Sequence, residues 1–217
     1  MQPSLPARIF RRLCRFPLSV GGFLLLFFSL SSPNSAFSQS NALTLPRNLA
    51  QLVGESDSII QGRVTSVSLE PHPQLSKLLM VVVTLQVEET LKGQNAGTYT
   101  CRQAVIDKRD QQQKMRYRVG QHLLLTMIRP SAFGLNSPAG MQQGRFEISL
   151  GPDGKARAVN GVANAGLFRG MDSQLKDVRP QVSPKTLEMF DQQKSGAVGL
   201  EDLKTVIRTL TPRNTTP

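Results

Sequence analysis

The middle of the chain places apolar side chains at every second position, which is the period of a β-strand with one buried face. The clearest example is the run VVVTLQVE at 81–88, in which all the odd-numbered positions are apolar. In the segment that begins at Ser58, the glycine at position 62 interrupts the alternation and predicts a bulge or a bend there. Further strands are predicted at 58–70, 97–105, 121–128, 145–150 and 155–159, the last two joined by the turn GPDG at 151–154.

Apolar residues at helical spacing predict a short helix near 47–54 and two more towards the C-terminus. The helix over 199–210 begins with acids and has Arg208 near its end, as the helix dipole favours. The helix before it starts from Ser183, with Pro184 at its first position. The pattern therefore predicts a mainly β fold with a short N-terminal helix and a C-terminal helical extension over 171–217.

The first 38 residues have the three parts of a secretory signal. Residues 1–17 carry four arginines and no acid, residues 18–30 are largely apolar, and small and polar residues follow. The apolar run is too short to cross a hydrocarbon core, which needs about 20 residues. We therefore expect 1–38 to be a signal peptide and 39–46 a linker. The mature protein is then periplasmic or extracellular, with no stable membrane span.

Removal of the signal lowers the formal net charge from +11 to +7, because that segment holds four arginines and no acid. A basic surface favours anionic envelope polymers. Nucleic-acid binding is not expected, since the chain has no tryptophan, two tyrosines and no interleaving of aromatic and basic residues. The region 106–119 is either a solvated excursion or a docking patch for an acidic partner. Its basic residues are Lys108, Arg109, Lys114, Arg116 and Arg118.

Several segments share a layout with known barrels. They are Gly62-Arg63-Val64, VEETLKG at 87–93, the step Val119-Gly120, GMQQGRFEIS at 140–149 and NAGLF at 164–168. The layout resembles the netrin-module and tissue-inhibitor-of-metalloproteinase-like barrel, and secreted bacterial proteins of uncharacterised function that share it. The resemblance covers 47–170 and implies a five- to six-stranded OB-like barrel in that region.

Protease inhibition does not follow from this resemblance. In the animal inhibitors, a mature N-terminal cysteine chelates the protease zinc, and disulfides hold it in place. Here Cys14 leaves with the signal, and Cys101 then has no partner. Because Tyr99, Cys101 and Gln103 share one strand face, we expect Cys101 to be buried and inert.

No catalytic motif is recognisable in the chain, which lacks the sequences G-x-S-x-G, H-E-x-x-H, C-x-x-C and a phosphate loop. Its two histidines are His72, in a Pro-His-Pro turn that we expect to be exposed, and His122, which opens an apolar strand. We interpret them as surface and strand-end residues and not as a metal pair. The sequence thus favours an exported, non-enzymatic binding or interaction module without a cofactor. Its expected partner is an envelope protein or an anionic polymer.

One alternative function depends on the segment FDQQKSGAVGLEDL at 190–203, which resembles an EF-hand loop between two helices. Gln193 replaces the usual Asp or Asn, and Asp202 is shorter than the usual bidentate glutamate, so the loop is degenerate. The competing interpretation is a glycine-containing link between two helices. If the loop binds calcium, its metal ligands are Asp191, Gln193, Ser195 and Asp202.

Overall fold

Seven antiparallel strands form one sheet in the computed structural model, which describes residues 45–106 and 116–212. Their order across the sheet is β3-β2-β1-β4-β5-β6-β7. The mainly β prediction is confirmed, and each of the six predicted strands is present. The strands are β1 Ser58–Pro71, β2 Leu79–Lys92, β3 Thr98–Ala104, β4 His122–Met127, β5 Arg145–Leu150, β6 Ala156–Asn160 and β7 Val198–Gly199.

Four α-helices accompany the sheet in the described ranges: α1 Leu49–Glu55, α2 Asp172–Leu175, α3 Pro184–Gln192 and α4 Leu200–Leu210. A capping box starts α1, because Asn48 Oδ1 accepts from Gln51 N and Gln51 Oε1 accepts from Asn48 N, both at 2.9 Å. The predicted N-terminal and C-terminal helices are therefore confirmed. None of these helices has the length and apolar character that a membrane crossing requires.

The sheet is open, so a closed five- to six-stranded OB-like barrel is not confirmed. Strands β1 to β4 do have the order of a Greek key, with β4 beside β1. The outer edge of β3, however, meets the loop after β4 where closure would require a strand. Arg102 N donates to Asn136 Oδ1 at 3.0 Å, and Asn136 N donates to Arg102 O at 2.8 Å. A single residue thus pairs with both backbone groups of Arg102 on this edge.

Both faces of the central strands are buried, because successive side chains of a strand point to opposite sides. Ile59 of β1 and Leu124 of β4 belong to a first core, which α1, β5, β6, α3 and α4 complete. Ile60, Leu123 and Leu125 belong to a second core on the other face, with side chains of β2 and β3. Double burial explains why β4 is apolar without alternation. The C-terminal helices pack on the same face of the sheet as α1.

A β-bulge lies between β1 and β2 at the predicted glycine. Gln61 pairs with Glu89 and the next residue, Gly62, pairs with Val87, so Glu88 is the extra residue on β2. A Cβ atom on Gly62 would lie 2.3 Å from the carbonyl oxygen of Gln86, so the strands approach this closely only with glycine there. The bulge sends two consecutive glutamates towards the helix-covered face of the sheet.

Candidate functional site

Three polar side chains from neighbouring strands meet at the bulge: Gln61 of β1, Glu88 of β2 and His122 of β4, here named the bulge cluster. His122 Nε2 lies 2.7 Å from Glu88 Oε2. Gln61 Nε2 lies 3.0 Å from that oxygen and 3.0 Å from His122 Nε2. The three strands therefore direct three polar atoms towards one point on the helix-covered face.

The charges around the cluster set its protonation. Burial is the largest influence on the pKa of Glu88 and raises it, but the hydrogen bond from Gln61 and the charges of His122 and Arg63 together lower that pKa. Burial lowers the pKa of His122, and the attraction of Glu88 only partly offsets it. At neutral pH the glutamate is therefore ionised and the histidine neutral, with Nε2–H donating to the carboxylate.

Gln61 is the anomaly of the cluster. The residue is 7 % exposed, and its buried Oε1 has no hydrogen-bond partner. An unsatisfied buried acceptor costs about 1–3 kcal/mol, and such atoms in native proteins often mark a bound ion or a functional role. The unpaired amide oxygen therefore identifies this cluster as a candidate site.

The second glutamate of the bulge connects the sheet to α4. Lys204 Nζ lies 2.8 Å from Glu89 Oε2 and 2.6 Å from Glu201 Oε1, and Arg208 binds Glu89 Oε1 at 2.5 Å. Burial is the largest influence on the pKa of Lys204 and lowers it, but the two glutamates together raise that pKa above its usual value. The contacts of Lys204 and Arg208 with Glu89 hold α4 against β2, so the role of Glu89 is structural.

A groove of about 670 Å³ lies between the β5–β6 hairpin and the N-terminal ends of α3 and α4. Its volume is in the range of about 300–1,000 Å³ that is typical of small-molecule sites. Its charged lining residues are Asp153, Lys155, Arg157, Lys185, Glu201 and Asp202. A groove of about 770 Å³ beside the C-terminal end of α4 has Arg208 as its charged lining residue, which Glu89 already binds.

The EF-hand-like segment forms a helix, a loop, the short strand β7 and a second helix. β7 pairs with β6 through Val198 and Ala158, so the loop is attached to the sheet. Asp202 Oδ2 accepts from Ser183 Oγ at 2.5 Å and from Thr186 Oγ1 at 2.6 Å, which caps α3. The structure therefore uses this carboxylate to join the two helices.

The other predicted ligands of this segment have contacts of their own. Asp191 Oδ1 lies 2.6 Å from a guanidinium nitrogen of Arg179. Gln193 ends α3 with φ 50°, and its Nε2 donates to Phe190 O at 2.9 Å. Ser195 is exposed on the loop. Within the described ranges, no three His, Cys, Asp or Glu side chains form a metal-binding group. Calcium binding here stays a prediction.

His72 is buried, which corrects the exposed turn predicted from Pro-His-Pro. It is 3 % exposed, because the β1–β2 turn packs under the loop after β4. Its Nδ1 accepts from Gln74 N and Leu75 N at 3.1 Å each, so Nε2 carries the proton and donates to Phe133 O at 2.9 Å. This histidine holds two loops together.

Cys101 is fully buried in the second core, as predicted. Burial raises the pKa of its thiol to about 11. Most of the basic region lies outside the described residues, including Lys108, Arg109 and Lys114, as do the predicted signal and most of the linker. Arg118 is described, and it pairs with Glu147 at 3.1 Å.

Sequence reasoning missed the bulge cluster and the groove. A signal for the cluster was present, since a glycine in one strand and two consecutive glutamates in the next indicate a bulge that exposes both acids to one face. The chain matches no known protein family, and no curated protein or solved structure is significantly similar to it.

Proposed function

We propose that the chain is exported by its first 38 residues and acts outside the cytoplasm as a non-enzymatic binding module, with the groove as its binding surface. One observation carries this proposal: the acids of the groove are already engaged. Asp153 pairs with Arg157, Glu201 with Lys204, and Asp202 caps α3. The exposed Lys155 and Lys185 take no part in these contacts, so they are the cations open to an anionic ligand, beside the exposed Glu201.

The ligand that fits these lysines is anionic. Two exposed cations on a groove wall attract phosphate or carboxylate groups, and the net charge of +7 expected after signal removal adds a favourable field. An anionic envelope polymer offers many such groups along one chain. Exposed charges are screened within about 10 Å at 0.1 M salt, so binding should weaken as salt rises.

The test uses polyphosphate and polyglutamate as probes with the purified protein. Replacement of both Lys155 and Lys185 by Glu should weaken binding about tenfold at low salt, since two favourable charge contacts become repulsive. The matched control replaces Lys77 and Lys176, both exposed and outside the groove, by Glu. Equal losses in the two variants would show that net charge, not the groove, governs binding.

Calcium binding at 191–202 is the second candidate, favoured by the arrangement of helix, loop, short strand and helix. Calcium would have to replace Arg179 at Asp191, and Ser183 and Thr186 at Asp202. This function predicts a rise in the unfolding midpoint in millimolar calcium relative to chelator, and loss of that rise in Asp191→Asn. An unchanged midpoint in the parent protein rejects it.

We also propose that residues 47–170 form an OB-like barrel. The Greek-key order of β1 to β4 supports it, with the Asn136 contact in the place where a closing strand pair would lie. An experimental structure of the whole chain with hydrogen bonds between β3 and β5 would support a closed barrel. If the outer edge of β3 contacts only solvent or side chains in that structure, the closed barrel is rejected.

A further inference from the structure

We propose that the bulge cluster binds a divalent first-row transition-metal ion. Its three facial ligands are Glu88 Oε2, His122 Nε2 and the side-chain oxygen of Gln61. The site is distinct from both the groove and the EF-hand-like segment. Binding needs a half-turn of the Gln61 amide and a change of tautomer at His122.

The distances within the cluster fit one face of a coordination polyhedron. Nitrogen and oxygen ligands lie about 2.1 Å from such an ion, so neighbouring corners of an octahedron are about 3.0 Å apart. The three atoms of the cluster are separated by 2.7, 3.0 and 3.0 Å. A point about 1.3 Å above their plane therefore lies at bonding distance from all three.

The amide of Gln61 is the unsatisfied group beside this cluster. The residue is nine-tenths buried, and its Oε1 has no partner while Nε2 points into the cluster. A half-turn of the amide exchanges the two atoms. One amide atom lacks a partner in either orientation. A cation in the cluster would attract the amide oxygen and so would stabilise the orientation that places the oxygen there.

The protonation states of His122 and Glu88 are compatible with a bound ion. When the ion binds, the proton on His122 Nε2 leaves and Nδ1 takes one up, so the ring stays neutral and Glu88 stays ionised. Arg63 Nε lies 3.1 Å from Glu88 Oε1, which keeps that oxygen engaged and leaves Oε2 as the ligand. The same positive charge opposes the ion, so Arg63→Gln should tighten binding.

The donor set selects the class of metal. An imidazole nitrogen suits zinc, nickel, copper and iron, whereas calcium and magnesium prefer sites made of oxygen alone. Three ligands on one face leave the remaining positions for water. Binding at this cluster should therefore be strong for zinc and weak for calcium, the opposite of the order expected for 191–202.

The test is calorimetric titration of the purified protein with zinc, with the cobalt absorption spectrum as a second readout. Gln61→Glu should tighten zinc binding at least about tenfold, because it adds a charged oxygen at the same place. Gln61→Leu and Glu88→Gln should each weaken it about tenfold or more. Glu147→Gln, an exposed glutamate that pairs with Arg118, is the matched control and should leave zinc affinity unchanged.

Two results would overturn the proposal. One is that zinc at about 100 µM, a concentration typical of the dissociation constant of a weak surface site, does not bind. Circular dichroism must show that the protein in this measurement is folded. The other is zinc binding that survives at parent affinity in Gln61→Leu and Glu88→Gln, which would place the metal elsewhere. The gain expected in Gln61→Glu keeps the test independent of any loss of folding.

Discussion

Gly62 lies at the bulge between β1 and β2, where the backbone of Gln86 leaves no room for a Cβ atom, and this bulge turns Glu88 and Glu89 to one face. Gly62→Ala would place a methyl group 2.3 Å from Gln86 O, so the strands must separate. We expect a loss of about 1–3 kcal/mol in the free energy of unfolding, the cost typical of overpacking. Urea denaturation measures it.

The control for this prediction is Gly97→Ala. A Cβ atom there meets nothing within 4 Å, and Gly97 is not among the glycines with positive φ. We expect a change below about 0.5 kcal/mol for this variant. If the two alanine variants unfold at the same urea concentration, the close approach at Gly62 does not constrain the sheet.

Single residues show where sequence reasoning succeeds and where it stops. Burial of Cys101 follows from its place in an alternating strand, because the period alone assigns its face. Burial of His72 does not, because it depends on Phe133, which is 61 positions away in the chain. The bulge cluster has the same limit, since the bulge can be suspected from Gly62 but the third strand, with His122, is supplied by tertiary pairing.

At the scale of elements, Lys204 joins α4 to β2 through Glu89. The glutamates raise the pKa of this lysine, so its contribution to stability is complete below its unfolded pKa of about 10.5. It is lost as pH rises through the higher folded value. Lys204→Met should cost about 1 kcal/mol at pH 7 and should remove this part of the alkaline loss.

Thermal unfolding of the parent protein and Lys204→Met between pH 7 and about pH 12 tests this element-scale prediction. The difference between their midpoints should shrink above about pH 10.5. Tyr117, whose pKa burial raises to about 12, titrates in both proteins and so cancels in the comparison. A constant difference over the whole range would mean that the charge of Lys204 does not stabilise α4.

Elements themselves were predictable because the periods differ clearly. The strands alternate or run apolar, and the stripe of α4 recurs at three and four positions, so both were visible in the sequence. The very short β7 was not visible as a strand, since two residues carry no period. Its pairing with β6 instead comes from the place to which α3 and α4 bring the loop.

On the scale of the whole molecule, the edge of β3 decides whether the sheet closes. Pattern alone predicts strands and turns, but closure depends on which group meets that edge. Here the partner is Asn136, which lies 34 positions from Arg102 in the chain. The same side chain donates from Nδ2 to the Tyr99 hydroxyl at 3.0 Å, so one buried amide fixes the loop over the strand.

Asn136→Ala should therefore weaken the molecule and expose its edge. Loss of these two side-chain hydrogen bonds should lower the free energy of unfolding by about 1–3 kcal/mol. The backbone groups of β3 would become available to another copy of the chain, because an uncovered edge strand is a template for pairing. We expect the variant to self-associate as its concentration rises, measured by sedimentation velocity, while the parent protein does so less.

Asn95→Ala is the control, since Asn95 makes one exposed contact of 3.4 Å with Thr90. If Asn136→Ala is destabilised but sediments like the control at every concentration, the loop still covers the edge, and backbone contacts such as that from Asn136 N to Arg102 O are sufficient to keep the sheet from pairing.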